Sequence, residues 1–302
     1  MNVRPSALIF CIICFGVLIS AVLFRWTQES QRQSVSTDNM SANCSDQKSI
    51  PSPHRIPQSA SQSFVITLPV SPSLWITADR TQSEELRLKP LVDGTVVLID
   101  QPQDILLMRR ILLDSEEGDT IRNEAANLLN RSGIAELPND LQTVLANPAE
   151  AARFRSFAMQ HLGILWNQVG SPAASPLRAV LLTGLTDRHV AAQREALLAL
   201  ARGKDPAAPV RVEALLADPA ASNQHDLCCR IVADLKLMNQ LPALRRLLSS
   251  GDEVIRIAAL DAAARLGDLE SLDAVVMAAK DSNPRIASAG KRAQKVLSEV
   301  KR

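Results

Sequence analysis

The sequence has no tyrosine, only 3% aromatic residues and no excess of either charge. Proteins that bind single-stranded nucleic acid usually present aromatic stacking platforms in a basic groove, and those that bind duplexes present a basic face. Here 33 Lys and Arg residues are balanced by 32 Asp and Glu residues, which gives a formal net charge of +1. We therefore expect no nucleic-acid partner.

Cysteine and histidine are also scarce, with five and four residues in 302. The cysteines do not form the pattern of a disulfide framework, and the histidines lack the spacing of metal ligands. Cys228 and His225 lie three residues apart, which places them on one helix face, but no third orienting group is evident. No phosphate-binding glycine loop or nucleophile elbow occurs. The sequence therefore predicts no catalytic residue, no cofactor and no metal.

A pattern that recurs about six times fills residues 102–302. A helix-length apolar stretch is followed by a second one, in which Arg precedes a small residue by three positions. The first of these positions holds Arg122, Arg155, Gln193, Arg230, Arg256 and Arg285. The second holds Ala125, Ala158, Ala196, Ala233, Ala259 and Ser288. An internal period of this kind predicts a stack of helix pairs.

Each position in the pattern has a physical reason. Residues three or four apart share a helix face, so a small residue there lets the next pair approach closely. An aspartate lies three or four residues before Arg in four copies and is predicted to cap the helix N-terminus: Asp119, Asp226, Asp252 and Asp281. We interpret the repeated Asp and Arg as residues that hold neighbouring pairs together rather than as a ligand site.

The segment DEVIRIAALDAAARLGD (Asp252–Asp268) resembles a HEAT repeat, particularly the short bacterial type named after phycobilisome lyases. DTIRNEAANLLNRSG (Asp119–Gly133) is similar to the same unit. The resemblance covers about two thirds of the chain and implies an α-solenoid of antiparallel helix pairs. Most members of the family resemble binding scaffolds, and a minority are linked to the attachment of bilin chromophores.

Residues 7–24 are eighteen consecutive residues without a charge. At ~1.5 Å rise per residue, a helix of this length approaches the hydrocarbon thickness of a bilayer. Arg4 precedes the run, Arg25 follows it, and no small-x-small cleavage site comes after it, so residues 1–26 are predicted to be an uncleaved membrane anchor. The expected location is the inner membrane, single-pass, with residues 27–302 outside the cytoplasm in the periplasm.

Two further segments precede the repeats. Residues 27–62 are rich in Ser, Gln, Asn and Pro and are predicted to be a disordered linker. Residues 63–101 contain runs of branched residues at 64–68, 74–77 and 95–99, separated by Pro and Asp-Gly. These runs predict a small β-like segment that caps the first helix pair.

The predicted fold is all-α: an α-solenoid of about six antiparallel helix pairs over 102–302, with an N-terminal transmembrane helix and a β-like cap. The predicted function is a non-catalytic, membrane-anchored scaffold that binds an unidentified protein partner through a concave face formed by the second helices. The predicted contact residues are Arg153, Gln160, Arg194, Lys236, Arg265 and Lys291.

Two alternatives stay open at this point. The first is a chromophore-lyase-like enzyme or accessory subunit, which would need a ligand pocket and a cytoplasmic domain. The second is a structural protein of the cell envelope, which the residues do not separate from the scaffold.

Overall fold

The computed structural model describes residues 71–94, 96, 98 and 101–300 of the chain. These residues form fourteen α-helices and three short 3-10 turns, and no strand occurs among them. The helices in chain order are α1 (Pro72–Ala78), α2 (Glu84–Val92), α3 (Pro102–Leu113), α4 (Asp119–Arg131), α5 (Leu137–Ala146), α6 (Ala152–Gln168), α7 (Pro176–Gly184), α8 (Val190–Arg202), α9 (Ala207–Ala217), α10 (His225–Leu235), α11 (Leu241–Leu247), α12 (Glu253–Leu266), α13 (Leu272–Ala278) and α14 (Pro284–Val300).

The helices form seven pairs joined by short connections. In each pair the odd-numbered first helix contacts the even-numbered second helix that follows it. The second helices also pack against one another in a continuous row from α2 to α14. Six of the pairs lie between Pro102 and Val300, and the prediction of an all-helical repeat array is confirmed.

Small residues set how closely the second helices approach one another. The repeated alanines are buried: Ala125, Ala158, Ala196, Ala233 and Ala259. Between α6 and α8 the approach is closer still, because a Cβ atom at Gly163 would lie 2.5 Å from the Cβ of Ala199. Glycine is therefore required at position 163 for these two helices to pack as they do.

The predicted β-like cap over 63–101 is wrong where the structure describes it. Residues 74–77 lie in α1, where Leu74 and Thr77 are buried while Ile76 is exposed. Burial at a three-residue spacing is the pattern of a helix, whereas a strand would place Leu74 and Ile76 on the same face.

Local features explain why this region is helical despite its branched residues. Pro72 occupies the first turn of α1, where its fixed φ suits a helix. Ser83 caps α2, because its side chain accepts a hydrogen bond from the backbone N–H of Leu86. Packing on the following pair then outweighs the β preference of the branched residues, which depends on context. The runs at 64–68 and 95–99 lie wholly or partly outside the described residues.

The predicted membrane helix at 7–24 and the linker at 27–62 also lie outside the described residues. In the part of the chain that the structure describes, no helix is long and apolar enough to cross a membrane. The fold is therefore corrected to an all-helical repeat array in which neither the transmembrane helix nor the β-like cap is supported. The inner-membrane location stays a prediction.

The corrected first pair can be tested with two substitutions in α1. Leu74→Ala is expected to lower the free energy of unfolding by about 3 kcal/mol, because Leu74 is 0% exposed. Ile76→Ala is expected to change it by about 0.5 kcal/mol or less, since Ile76 is 44% exposed. Urea unfolding followed by circular dichroism measures both, and equal losses would contradict the helical assignment.

Candidate interaction surface

A series of side chains links five of the helix pairs to the pair that follows. Five second helices carry such a side chain at their fourth residue: Arg87, Arg122, Arg155, Gln193 and Arg256. We call these five residues the arginine ladder. Arg87 belongs to the first pair and was missed by the sequence analysis.

The geometry of the ladder is clearest at Arg122. Its Nε donates to the backbone carbonyl of Leu112, in the last turn of α3, at 3.0 Å. Its two terminal nitrogens donate to Glu150, which lies two residues before the start of α6 in the next pair, at 2.8 Å each. The guanidinium also lies 3.5 Å from the ring centroid of Phe154. One side chain thus binds a carbonyl that the end of α3 leaves unpaired and joins two helix pairs.

Arg87 and Arg155 repeat this arrangement. Arg87 donates to the carbonyl of Thr77 at 2.9 Å and to Glu117 of the second pair at 3.1 Å. Arg155 donates to Asp187 of the fourth pair at 2.5 Å. The first helix pair is therefore linked to the array by the same device as the pairs that the sequence identified.

The ladder continues in two later pairs. Arg256 donates to the carbonyl of Leu248 at 2.9 Å and pairs with Asp281 at 2.7 Å. In the fourth pair a hydrogen bond between neutral side chains replaces the ion pair: the amide of Gln224 donates to that of Gln193 at 3.1 Å. The link between pairs therefore tolerates loss of charge when both partners change together.

The fifth pair departs from the sequence alignment. His225 Nε2 lies 3.0 Å from the carbonyl oxygen of Leu215, a contact that arginine makes in other pairs. The prediction that Arg230 is the equivalent residue is therefore wrong. Arg230 lies farther along α10 and pairs with Asp226 of its own helix at 3.5 Å.

The four predicted aspartate caps have different roles. Asp252 is a helix cap, and its carboxylate accepts from two backbone N–H groups at 2.8 and 3.1 Å. Asp119 is the first residue of α4, after the cap position. Asp226 and Asp281 instead form ion pairs with arginines. The cap prediction is therefore confirmed at Asp252 and wrong at the other three positions.

The ladder carboxylates are ionised at neutral pH. Burial alone would raise the pKa of Glu117 and Glu150, but the hydrogen bonds and charges of Arg87 and Arg122 hold these pKa values below the ordinary range. The same balance, with Arg155 as partner, lowers the pKa of Asp187. Each of these carboxylates is paired with an arginine of the ladder. The ladder therefore holds the array together and offers no free ligand site.

The six predicted contact residues occupy different surroundings. The exposed ones are Arg153, Lys236, Arg265 and Lys291, and the half-buried ones are Gln160 and Arg194. Arg194 of α8 donates to Asp226 of α10 at 2.7 and 2.8 Å. Arg265 of α12 donates to Asp234 of α10 at 2.5 Å. These two arginines therefore join neighbouring second helices, and their role in binding stays a prediction.

Lys236 does not lie on a helix face as predicted. It ends α10 in the left-handed conformation, with φ of 54°. Arg153 and Lys291 lie on α6 and α14, and Arg153 sits 5.6 Å over the ring of Phe157. Neither forms an ion pair with any described residue, and their role in binding likewise stays a prediction.

A buried histidine joins α6 to α4. His161 is 3% exposed, and its Nε2 lies 3.0 Å from the side-chain oxygen of Asn123. Burial lowers the pKa of His161 from 6.5 to about 4, so the ring is neutral at pH 7. This contact is not predictable from the repeat pattern, because the two residues are 38 positions apart.

The hypothetical dyad of Cys228 and His225 is not supported. Burial raises the pKa of the Cys228 thiol to about 12, so it is protonated at neutral pH. The Nε2 of His225 faces the carbonyl of Leu215 rather than the thiol. Among the described residues, no three His, Cys, Asp or Glu side chains are grouped so as to hold a metal ion.

Comparisons with known proteins find similarity to solved structures alone. No family model matches the chain, and no curated protein matches it. Human deoxyhypusine hydroxylase in complex with glycerol aligns at 18% identity and a TM-score of 0.36, over 74% of this chain and 94% of that chain. A designed armadillo repeat protein aligns at 16% identity and a TM-score of 0.42, over 66% of this chain and 95% of that chain.

The class of protein follows from the helix pairs themselves. Successive pairs repeat the same contacts, and the ladder side chains connect five of the pairs to the next. The chain is a helical repeat protein. Its assignment to the short bacterial lyase type stays a prediction.

Breaking one ladder pair tests its contribution to stability. Glu150→Ala is expected to lower the free energy of unfolding by about 3 kcal/mol, because it leaves Arg122, whose side chain is 1% exposed, as an unpaired buried charge. Glu253→Ala removes the pair with Arg285, whose side chain is 66% exposed, and a hydrogen bond from Asn283, and it is expected to cost about 1 kcal/mol or less. Chemical denaturation measures both variants, and a similar loss in the two would contradict a stabilising ladder.

His161→Gln is expected to flatten the pH dependence of stability between pH 6.5 and about 4. Because the folded-state pKa is lowered from 6.5 to about 4, the unfolded chain binds a proton in this range that the folded chain excludes. Stability is therefore lost as the pH falls through this window, by roughly 3 kcal/mol in total. Calorimetric Tm values at pH 7, 5.5 and 4 test this, and an unchanged slope in the variant would rule out His161 as the cause.

Proposed function

We propose that this chain is a non-catalytic scaffold that binds a partner protein through the exposed face of its second-helix row. The observation that carries the proposal is the continuous packing of the second helices from α2 to α14. A row of this kind places side chains from several helices on one extended surface. Helical repeat arrays bind their partners along such surfaces.

Cross-helix ion pairs support the proposal by fixing part of this surface. Arg194 of α8 and Arg265 of α12 both reach carboxylates of α10, namely Asp226 and Asp234. Each pair joins neighbouring second helices and restrains the side chains that take part. A surface whose side chains are ordered in advance loses less conformational entropy when a partner binds.

Other cations on the same row are available for a partner. Arg153 lies over Phe157, whose ring is in an edge-to-face contact with Phe154 at 6.4 Å. Arginine beside aromatic rings is the composition of interface residues that contribute most to affinity. Lys291 of α14 is exposed and makes no ion pair with the described residues. We propose Arg153 and Lys291 as contact residues.

The lyase-like alternative has no specific observation in its favour. The buried thiols of α10 are protonated, since burial raises the pKa of Cys228 to about 12, and the adjacent His225 is occupied by backbone. The scaffold therefore remains the proposed function.

Site-specific photo-crosslinking in cells that express the full chain tests the proposal. A photoreactive amino acid is placed at Arg153 or Lys291, and at Arg110 or Arg246 on first helices as matched exposed controls. We expect one discrete crosslinked protein from the second-helix positions and none from the first-helix positions.

Charge reversal then tests the contact residues themselves. Arg153→Glu with Lys291→Glu is expected to weaken binding of the captured partner at least tenfold, since each contact contributes about 1 kcal/mol or more. Arg110→Glu with Arg246→Glu is expected to leave binding unchanged, and both doubles are expected to keep the wild-type Tm. Equal crosslinking from both faces, or undiminished binding by the first double variant, would contradict the proposal.

A further inference from the structure

Two lysines occupy backbone positions that favour glycine. The second helices α4 and α12 end in the left-handed conformation at Gly133 and Gly267, both with φ of 67°. After α8 and α10 the same conformation is adopted by Lys204 and Lys236, both with φ of 54°. A side chain at such a position is strained relative to glycine. Residues that break a local preference in this way are often retained for function.

The two lysines line one groove. It encloses about 450 Å³ between the end of α8, the start of α9 and the end of α10. Its apolar lining consists of Pro206, Pro209, Leu235 and Leu237. Pro206 is exposed, and Pro209, Leu235 and Leu237 are half-buried. The groove therefore offers an apolar surface beside two cationic side chains.

The negative charges of the groove are already paired with arginines. Asp205 pairs with Arg178 of α7 and also accepts from the backbone N–H of Ala207. Asp234 pairs with Arg265 at 2.5 Å. These partners compensate the two carboxylates within the protein.

The lysine side chains, in contrast, have no such partner. Lys204 and Lys236 are both exposed, and neither forms an ion pair with any residue that the structure describes. The groove as a whole therefore carries uncompensated positive charge.

We propose that this groove, named here the Lys204–Lys236 groove, binds an acidic peptide segment that also carries apolar side chains. The peptide carboxylates pair with the two lysines, and its apolar side chains contact the prolines and leucines. The groove is separate from Arg153 and Lys291, so the proposal goes beyond the proposed scaffold function and specifies the chemistry of a second ligand. An acidic peptide fits better than a nucleic acid, because phosphate backbones are bound by larger basic surfaces and this groove has two lysines beside an apolar lining.

Fluorescence anisotropy with the full chain tests the proposal. The probe is a fluorescein-labelled peptide of sequence Glu-Leu-Glu-Asp-Leu-Glu, and its neutral match is Gln-Leu-Gln-Asn-Leu-Gln. We expect the acidic peptide to bind, the neutral peptide to bind at least tenfold more weakly, and binding to weaken as NaCl is raised from 50 to 300 mM. A 20-nucleotide single-stranded DNA is expected not to compete.

The decisive variant replaces both lysines with glycine. Lys204→Gly with Lys236→Gly is expected to reduce peptide binding at least tenfold while the Tm stays the same or rises, because glycine suits both positions. A loss of binding thus cannot be attributed to unfolding. Lys280→Gln with Lys295→Gln removes the same charge from exposed positions outside the groove and is expected to leave binding unchanged.

Several outcomes would overturn the inference. The first three are undiminished binding by the double glycine variant, equal binding of the neutral peptide, and competition by DNA at the same concentration. The fourth is self-association of the chain through the groove, which sedimentation would show as a dimer that the double glycine variant loses.

Failure of the groove proposal is distinguishable from failure of the scaffold proposal. Crosslinking at Arg153 and Lys291 does not involve the groove, so it persists if only the groove proposal is wrong.

Discussion

The array depends on one interaction, the arginine that reaches both a carbonyl of its own pair and an acid of the next. No helix pair of this size buries its apolar face alone, so the pairs must stack. Stacking also encloses carbonyls at the ends of the first helices, which then need donors. The guanidinium of Arg122 supplies a donor to such a carbonyl and also an ion pair to the next helix pair, because its planar fork of N–H groups reaches Leu112 and Glu150 together. A lysine at this position has no planar fork with which to make these contacts at once.

Much of the fold was predictable because helical burial leaves a period in the sequence. The six pairs from Pro102 to Val300 keep apolar residues on the inner faces, and the buried alanines follow the arginine by three positions. The first pair was missed because Pro90 stands where other copies have alanine, and because branched residues favour a strand locally. Arg87 precedes Arg122 by 35 residues, a spacing like that of the later copies, and this would have revealed it.

The site was less predictable, because contacts between helix pairs join residues about 30 positions apart. Alignment by residue type selected Arg230, whereas the carbonyl of Leu215 is in fact contacted by His225, a different residue type at a different helix position. The helical period correctly placed Arg194 on the second-helix row, but it did not reveal that the guanidinium of Arg194 is paired with Asp226. Such pairing is set by the loop before the next second helix, which has five residues in six of the pairs and seven, 218–224, in the fifth, where His225 replaces arginine.

Arginine and lysine have different roles in this protein, because the guanidinium and ammonium groups form different contacts. The positive partner is arginine in each ion pair identified among the described residues, from Arg80–Asp114 to Arg285–Glu253. Its planar fork suits fixed, partly buried pairs, whereas lysine is a strongly hydrated point charge on a flexible stem. Lys236 and Lys291 are therefore left available for an external partner, as are exposed arginines without an ion pair, such as Arg153. For this reason the exposed Lys236 and Lys291 are better suited to binding than Arg194 or Arg265, whose carboxylate partners would be left unpaired.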